Sequence, residues 1–362
     1  MQAAVLRTVP GVLELEELRV DAPGPHDVLV RTAHTGLCHS DLHCIDGVSH
    51  VEPPVVLGHE ASGVVEAVGE EVTSVRPGDH VVACMSAFCG QCRQCISGHP
   101  NLCEQRVSML TRPSAPLRDA EGGAVATFGW LGTFAEQMLV HERSIARIRD
   151  DMPLAVAALI GCAVTTGTGA VVRTAAVEPG SSVAVVGCGG IGLAAVQGAR
   201  LVGAAKVVAV DVADDKLERA RTLGATHTVN ARSTDPIEAV RDLTGGGVDY
   251  SFEAIGTKAT AEQCFAMLGR RGVATIIGVI PPGVDLGISA HALLVGEKRL
   301  QGCVMGSNRF RLDMPWYCDL YLDGRLKLDE MVTAHRPLSE INDGYEVLRR
   351  GEGTRTVIDF PT

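Results

Sequence analysis

The sequence predicts an α/β fold, a doubly wound parallel sheet inserted into a mostly β domain. Three observations carry this. The first 160 or so residues are short apolar runs broken by Pro and Gly, as in VLVRTAH, VVLGHEASGVVEAVG and HVVACM with PGPHD, PPVV and RPGDH between them. From about Val164 buried-strand and helix patterns alternate. The last 60 or so residues return to short strands and one helix, LSEINDGYEVLRRG.

In order, SSVAVVG reads as a buried strand, IGLAAVQGARLVGA as a helix and KVVAVD as the second strand. DDKLERARTLGA is a helix, ATHTVN a short strand and DPIEAVRDLTGG a helix. VDYSFEAIG is a strand, TAEQCFAMLGRRG a helix, and ATIIGVI closes the series. The expected domains are 1–163, a catalytic domain with a cysteine lobe at 89–103; 164–304, a nucleotide-binding domain; and 305–362, a return to the first. No repeat or low-complexity linker interrupts them.

Composition narrows the function classes. With 362 residues and 46% hydrophobic content the chain can build sizeable cores. No apolar stretch of about 18 residues lacks charges or breakers, so no membrane span is expected. MQAAVLRTVPGVLELEE is not a signal peptide, and a cytoplasmic protein is expected. A net charge of -11 disfavours a nucleic-acid partner.

Gly187, Gly189 and Gly192 form GxGxxG between a strand and a helix, which is the Rossmann-type context for a dinucleotide. The first glycine allows the turn, the second lets backbone approach a pyrophosphate, and the third lets helix pack on strand. Asp211 ends the next strand, where a carboxylate accepts bonds from ribose hydroxyls and repels a 2′-phosphate, favouring NAD over NADP. A plain Gly-rich turn beside a capping Asp would not need all three features together.

Of twelve cysteines, Cys89, Cys92, Cys95 and Cys103 read C-x2-C-x2-C-x7-C. Four thiolates at that spacing close a tetrahedral shell around zinc, a structural site. An Fe–S cluster and a nucleic-acid-binding zinc ribbon are the competitors, the latter opposed by the acidic charge. Cys44, Cys84, Cys188, Cys264, Cys303 and Cys318 have no ligand spacing and read as small hydrophobes. GLCHSDLH, GHE and GC offer Cys38, His59 and Cys162, a Cys₂His set that would leave a fourth position open. Spacing alone makes these three only candidates.

GLCHSD, GHEASGVV with VGEEVTSVRPGDHV, the cysteine lobe, GC-x4-G, GCGGIG, VVAVD-x4-K and INDGYEVLRRGEGTRTVIDF together resemble the medium-chain zinc-dependent alcohol dehydrogenases over essentially the whole chain. That resemblance implies a GroES-like catalytic domain and catalytic zinc on Cys38, His59 and Cys162, with Glu60 either behind those ligands or an alternate ligand and Asp41 supporting the histidine. Cysteine at 162 places the chain with the alcohol dehydrogenases rather than the polyol dehydrogenases. It implies a zinc-activated alcohol, hydride transfer to nicotinamide, and a proton route through Ser40 and His43.

Matching positions assign the coenzyme to His39, Thr166, Gly187, Gly189, Gly190, Ile191, Gly192, Asp211, Lys216, Ile277, Val279 and Arg355. His39 and Arg355 would serve the pyrophosphate; Thr257 stands where some relatives carry an adenine-side arginine. Ser40 and Met85 match pocket positions and suggest a bulky apolar or aromatic alcohol.

The implied complement is NAD and two zinc ions per subunit, one catalytic and one structural. Glu104 to Leu131 matches an insertion of dimeric members, so a homodimer is expected, with a homotetramer as the other arrangement. Exposed strands around 290–305 would join the subunits. Thiol-dependent formaldehyde dehydrogenase is the alternative activity, although its acidic pair before GHE is not evident and Arg106 is one place off its basic position. A non-enzymatic zinc scaffold and a zinc-free quinone or enoyl reductase are the competing classes, separated by coenzyme binding and metal content.

Overall fold

The computed structural model describes residues 1–361. Contacts group the chain into two compact units. The first holds Met1–Cys162, Arg309–Gly324 and the chain from Val332; the second holds Ala163–Asn308 and Arg325–Met331.

In the first unit a central strand, Asp27–Gly36, pairs antiparallel with Ala61–Val68, Gln137–His141 and Arg355–Asp359. Side chains alternate along it, so Val28 and Val30 enter a core with Val65, Val81, Met138 and Val140. A second sheet runs Leu13–Glu17, Gln2–Leu6, Val55–Val56, Ala124–Thr127, Leu117–Arg118, Arg19–Val20. It shares a core of Val5, Leu6, Leu57, Phe134 and Ile358 with the helices His39–Ile45 and Ile341–Arg349. Burying each such side chain contributes about 1.5–3 kcal/mol. The stretch 104–131 contributes the helix Arg106–Leu110 and two of those strands, which its sequence did not reveal.

The run VVLGHEASGVV is not one strand. Val55–Val56 and Ala61–Val68 belong to different sheets, and Leu57–Glu60 crosses between them. Gly58 makes the crossing at φ +91, and a Cβ there would sit 2.4 Å from Thr133 Oγ1 and 2.6 Å from Phe134 Cδ1. The position therefore tolerates only glycine.

The second unit is a six-stranded parallel sheet ordered His227–Asn230, Lys206–Asp211, Ser182–Val186, Val248–Glu253, Leu268–Ile276, Arg299–Gly302. Val183–Val186 are continuously buried, as parallel strands covered on both faces require. Chain order reverses beside Ser182–Val186, the crevice where such sheets bind ligands.

Three expectations are corrected. The helix expected through TAEQCFAMLGRRG stops at Ala266, and Leu268–Ile276 is strand. Gly269 and Gly272 weaken helix there, and Gly247 packs its backbone against Gly269. Around 290–305, Ala290–Gly296 is a helix capped by Ser289, and only Arg299–Gly302 is strand. The tail 305–362 does not return whole to the first unit. Leu326, Leu328 and Met331 are buried in the second, where the Gln197 amide accepts from Lys327 N at 2.7 Å. Among the described residues no single helix is long and apolar enough to cross a membrane.

Candidate functional site

In the first unit Cys38, His59 and Cys162 converge. Their ligand atoms lie within 4.8 Å of one another and all three residues are buried. Cys38 is the extended residue that caps the helix His39–Ile45. His59 comes from the crossing after Gly58, and Cys162 follows the tight turn Ala158–Gly161. None of these local structures is a regular strand or helix interior, so their meeting is a tertiary event.

Asp41 orients the imidazole. Its Oδ1 accepts from Gly58 N at 3.0 Å and stands 3.1 Å from His59 Nδ1. With Nδ1–H donated to Asp41, Nε2 keeps a lone pair for a metal. Burial works against charge on His59, but the Asp41 carboxylate and the Cys38 thiol hold it well above its usual value. The hydrogen bond from Cys162 holds Cys38 well below the usual thiol range, and Cys162 is pushed up in turn by Cys38 and by burial. The two sulfurs and the imidazole hold protons against one another in this cluster. A cation would take the place of those protons. Two thiolates and one imidazole suit zinc and leave one coordination position free.

Glu60 and Arg355 close the inner side. Arg355 Nη1 lies 3.8 Å from Glu60 Oε2 and donates to Leu37 O at 2.9 Å. Burial pushes Glu60 up to about 7, against the pull of Arg355. Beyond that ion pair, both Glu60 oxygens and Arg355 Nε are buried without a hydrogen-bond partner.

Ser40 Oγ is 3.8 Å from Cys38 Sγ. Ser40 and His43, three apart on one short helix, share a face. His43 is half-buried, and His39 is exposed at the start of that helix. Met85 packs on Gly129, where an added Cβ would meet its Cε at 2.8 Å. Phe128 stands edge-on to His59 at 5.8 Å. The sequence reading missed Phe128, an aromatic within the expected insertion with no motif to mark it.

Cys89, Cys92, Cys95 and Cys103 also gather their sulfurs within 4.8 Å. Backbone N–H groups already point at them: Cys92 N to Cys89 Sγ at 3.2 Å, Cys89 N to Cys103 Sγ at 3.2 Å. The Cys92 thiol is pushed down to about 6, chiefly by the Cys95 backbone N–H. Arg106 and Arg143 hold the lobe by donating to Ala87 O at 2.8 Å and Phe88 O at 3.2 Å. Four thiols with no fifth group suit a closed metal shell. The remaining six cysteines are free and buried.

In the second unit Gly187 turns at φ +95, and a Cβ on Gly192 would sit 1.7 Å from Gly187 O. Gly189 caps the helix Gly190–Leu201, with nothing within 4 Å of an added Cβ, so backbone there is open to a large anion. Ile191 O comes within 2.1 Å of a Cβ built on Gly167, which brings the helix Ala163–Gly169, with Thr166, against the glycine helix.

Asp211 does more than the sequence indicated. Its Oδ2 accepts from Cys188 N at 2.7 Å, and its Oδ1 from Val212 N at 2.7 Å and Ala213 N at 3.1 Å. The carboxylate therefore closes the glycine turn as well as facing it. Lys216 is half-buried on Asp214–Thr222, Ile277 is buried after its strand, and Val279 is exposed. A buried acid, Glu253, was missed. It gathers Ile255 N, Gly256 N and the Thr260 hydroxyl at 2.7–2.9 Å. Its only sequence signal is an acid ending a parallel strand.

Two family models match: the alcohol dehydrogenase GroES-like domain over residues 24–150 and the zinc-binding dehydrogenase over 190–320. An S-(hydroxymethyl)glutathione dehydrogenase of Saccharomyces cerevisiae is 37% identical, covering 98% of this chain and 95% of its own. An NDMA-dependent alcohol dehydrogenase of Amycolatopsis methanolica is 38% identical, covering 99% and 98%. The crystal structure of a benzyl alcohol dehydrogenase from Acinetobacter calcoaceticus superposes with a TM-score of 0.92 at 33% identity, covering 99% of each chain.

Proposed function

The chain belongs to the medium-chain zinc-dependent alcohol dehydrogenase family, and from that premise we propose that it is an NAD-linked enzyme interconverting a bulky apolar or aromatic alcohol with its aldehyde or ketone. The observation that carries this is the buried convergence of Cys38, His59 and Cys162, three ligand atoms within 4.8 Å where zinc takes four. Zinc supplies Lewis-acid activation of the alcohol, and the nicotinamide supplies the hydride acceptor.

The chain's own residues do the rest. Asp41 fixes the His59 tautomer through the 3.1 Å contact. Ser40 takes the hydroxyl proton, and His43, on the same helix face, passes it outward. Phe128, edge-on to His59, and Met85, packed on the adjoining Gly129, offer the substrate an aromatic and apolar surface. The benzyl alcohol dehydrogenase likeness supports an aromatic substrate. The yeast relative supports the second reading, oxidation of an S-hydroxymethyl thiol. An NADH-absorbance screen across primary, secondary, aromatic and thiol-adduct alcohols, with metal analysis, separates the two. Activity on none of them, with NAD or NADP, overturns both.

We assign two zinc ions per chain, a cytoplasmic location and a homodimer. The exposed edge strand Arg299–Gly302, with Leu294 and Val295 exposed beside it, supports pairing between copies. A monomer mass by light scattering would remove the dimer.

His43→Gln should slow alcohol oxidation, by less than the 10²–10⁴-fold typical of general acid–base groups because solvent can bypass a relay. An unchanged rate removes His43 from the route. Asp211→Gly should raise the KM for NAD by roughly tenfold or more, since one or two charge-assisted bonds to ribose are lost. The gap to NADP should narrow without NADP becoming efficient, because Asp214 and Asp215 remain and no arginine stands in Val212–Asp215. Equal kcat/KM for both coenzymes in the unsubstituted enzyme would refute the assignment of Asp211.

A further inference from the structure

Behind the metal cluster two buried oxygens have no partner: Asp41 Oδ2 and the hydroxyl of Tyr345. One is an acceptor and the other can donate. Leaving both unmet in a core is costly, so the fold has reason to join them.

The packing brings their elements together. Tyr345, 2% exposed, lies on the helix Ile341–Arg349 and shares one core with Leu37, Leu42, Cys44 and Ile45 of the segment that carries Cys38 and Asp41. Arg349, one turn beyond Tyr345, donates to Asp46 Oδ1 at 2.6 Å at the end of the helix His39–Ile45. Phe134 packs edge-on to the Tyr345 ring at 6.1 Å, which fixes the phenol in place. Burial, and after it the Asp41 carboxylate, pushes the Tyr345 hydroxyl well above its usual value, so it stays a neutral donor. Cys44, one turn on from Asp41, is likewise pushed up to about 11 by burial and then by Asp41.

We propose that Tyr345 is a positioning residue for the metal centre: its hydroxyl donates, through one buried water, to Asp41 Oδ2 and so holds Asp41 Oδ1 on the His59 ring. The chain of command is then Tyr345, Asp41, His59, metal. Asp41 Oδ1 already serves Gly58 N and His59 Nδ1, and without a tie on Oδ2 the carboxylate could rotate away from the ring. A single polar site with two or three partners is where buried waters reside.

The proposal rests on the reading of Cys38, His59 and Cys162 as metal ligands. The test is Tyr345→Phe, which keeps the ring and removes only the hydroxyl. Zinc-loaded protein is challenged with a chelator while both zinc ions are followed. The catalytic site is also loaded with cobalt, and its visible spectrum recorded. We expect the catalytic zinc to leave three- to tenfold faster, the lobe zinc to be unaffected, the cobalt spectrum to shift and the Tm to fall. In an Asp41→Asn background the substitution should add much less. An unchanged or raised Tm with unchanged zinc release and spectrum means the hydroxyl is a true orphan and overturns the proposal. A lower Tm alone also overturns it, since that is packing without positioning. Failure of the underlying reading looks different: the unsubstituted protein would hold no metal on Cys38, His59 and Cys162.

Discussion

Cys162→Ala is expected to cut turnover at least about 10³-fold, roughly 4 kcal/mol of activation free energy, while the fold and coenzyme binding persist. Cys162 supplies one of only two sulfurs in the buried trio. Cys38 and His59 alone make a poor tetrahedral site, and changes even to the groups behind metal ligands cost 10–100-fold in affinity or activity. The glycine turn at Gly187–Gly192 lies in the other compact unit, so the nucleotide contacts there do not depend on this sulfur. Bound zinc should fall by one per chain, with NADH titration and Tm close to those of the parent. Retained turnover in Cys162→Ala, or loss of the fold along with it, would end the catalytic assignment.

Cys95→Ala should behave in the opposite way. The four-sulfur shell spans a loop of about 15 residues, and cross-linking such a loop is worth about 3 kcal/mol in a chain-entropy account. No other group in the lobe is placed to restore the shell among the described residues. The denaturation midpoint and Tm should fall, and the lobe should lose its zinc. Turnover per folded molecule should fall much less, because Arg106 and Arg143 anchor the lobe to the backbone at Ala87 and Phe88 independently of the metal. Parental stability with selective loss of turnover would reverse the division between structural and catalytic sites.

Much of this was legible in one dimension because its chemistry is local. The C-x2-C-x2-C-x7-C spacing puts four thiols on one short loop, and the loop has few ways to hold them apart. The glycine turn is legible for the same reason: Gly187 and Gly192 are demanded by contacts only a few residues long, as the 1.7 Å clash shows. The alternation of buried strands with helices after residue 163 fixes a parallel sheet through period and connection length.

Contacts between distant segments were not legible from spacing. Cys38, His59 and Cys162 lie far apart in sequence, and only the tertiary fold brings a helix cap, a strand crossing and a turn within 4.8 Å. From spacing they are a candidate Cys₂His set and no more. The helix Ala290–Gly296 and the strand starting at Leu268 went astray because short apolar segments suit either period, and neighbours decide. The return of Arg325–Met331 to the second unit rests on long-range contacts: the Gln197 amide, bonds joining Arg219 to Glu330 O and Lys327 to Thr222 O, and three buried apolar side chains. Asp211 joins the two kinds of information. Its place at the end of a strand can be read from the sequence, but its bond from Cys188 N in the glycine turn and its two from Val212 N and Ala213 N could not be, because a carboxylate's partners depend on which backbone groups the fold leaves unpaired around it.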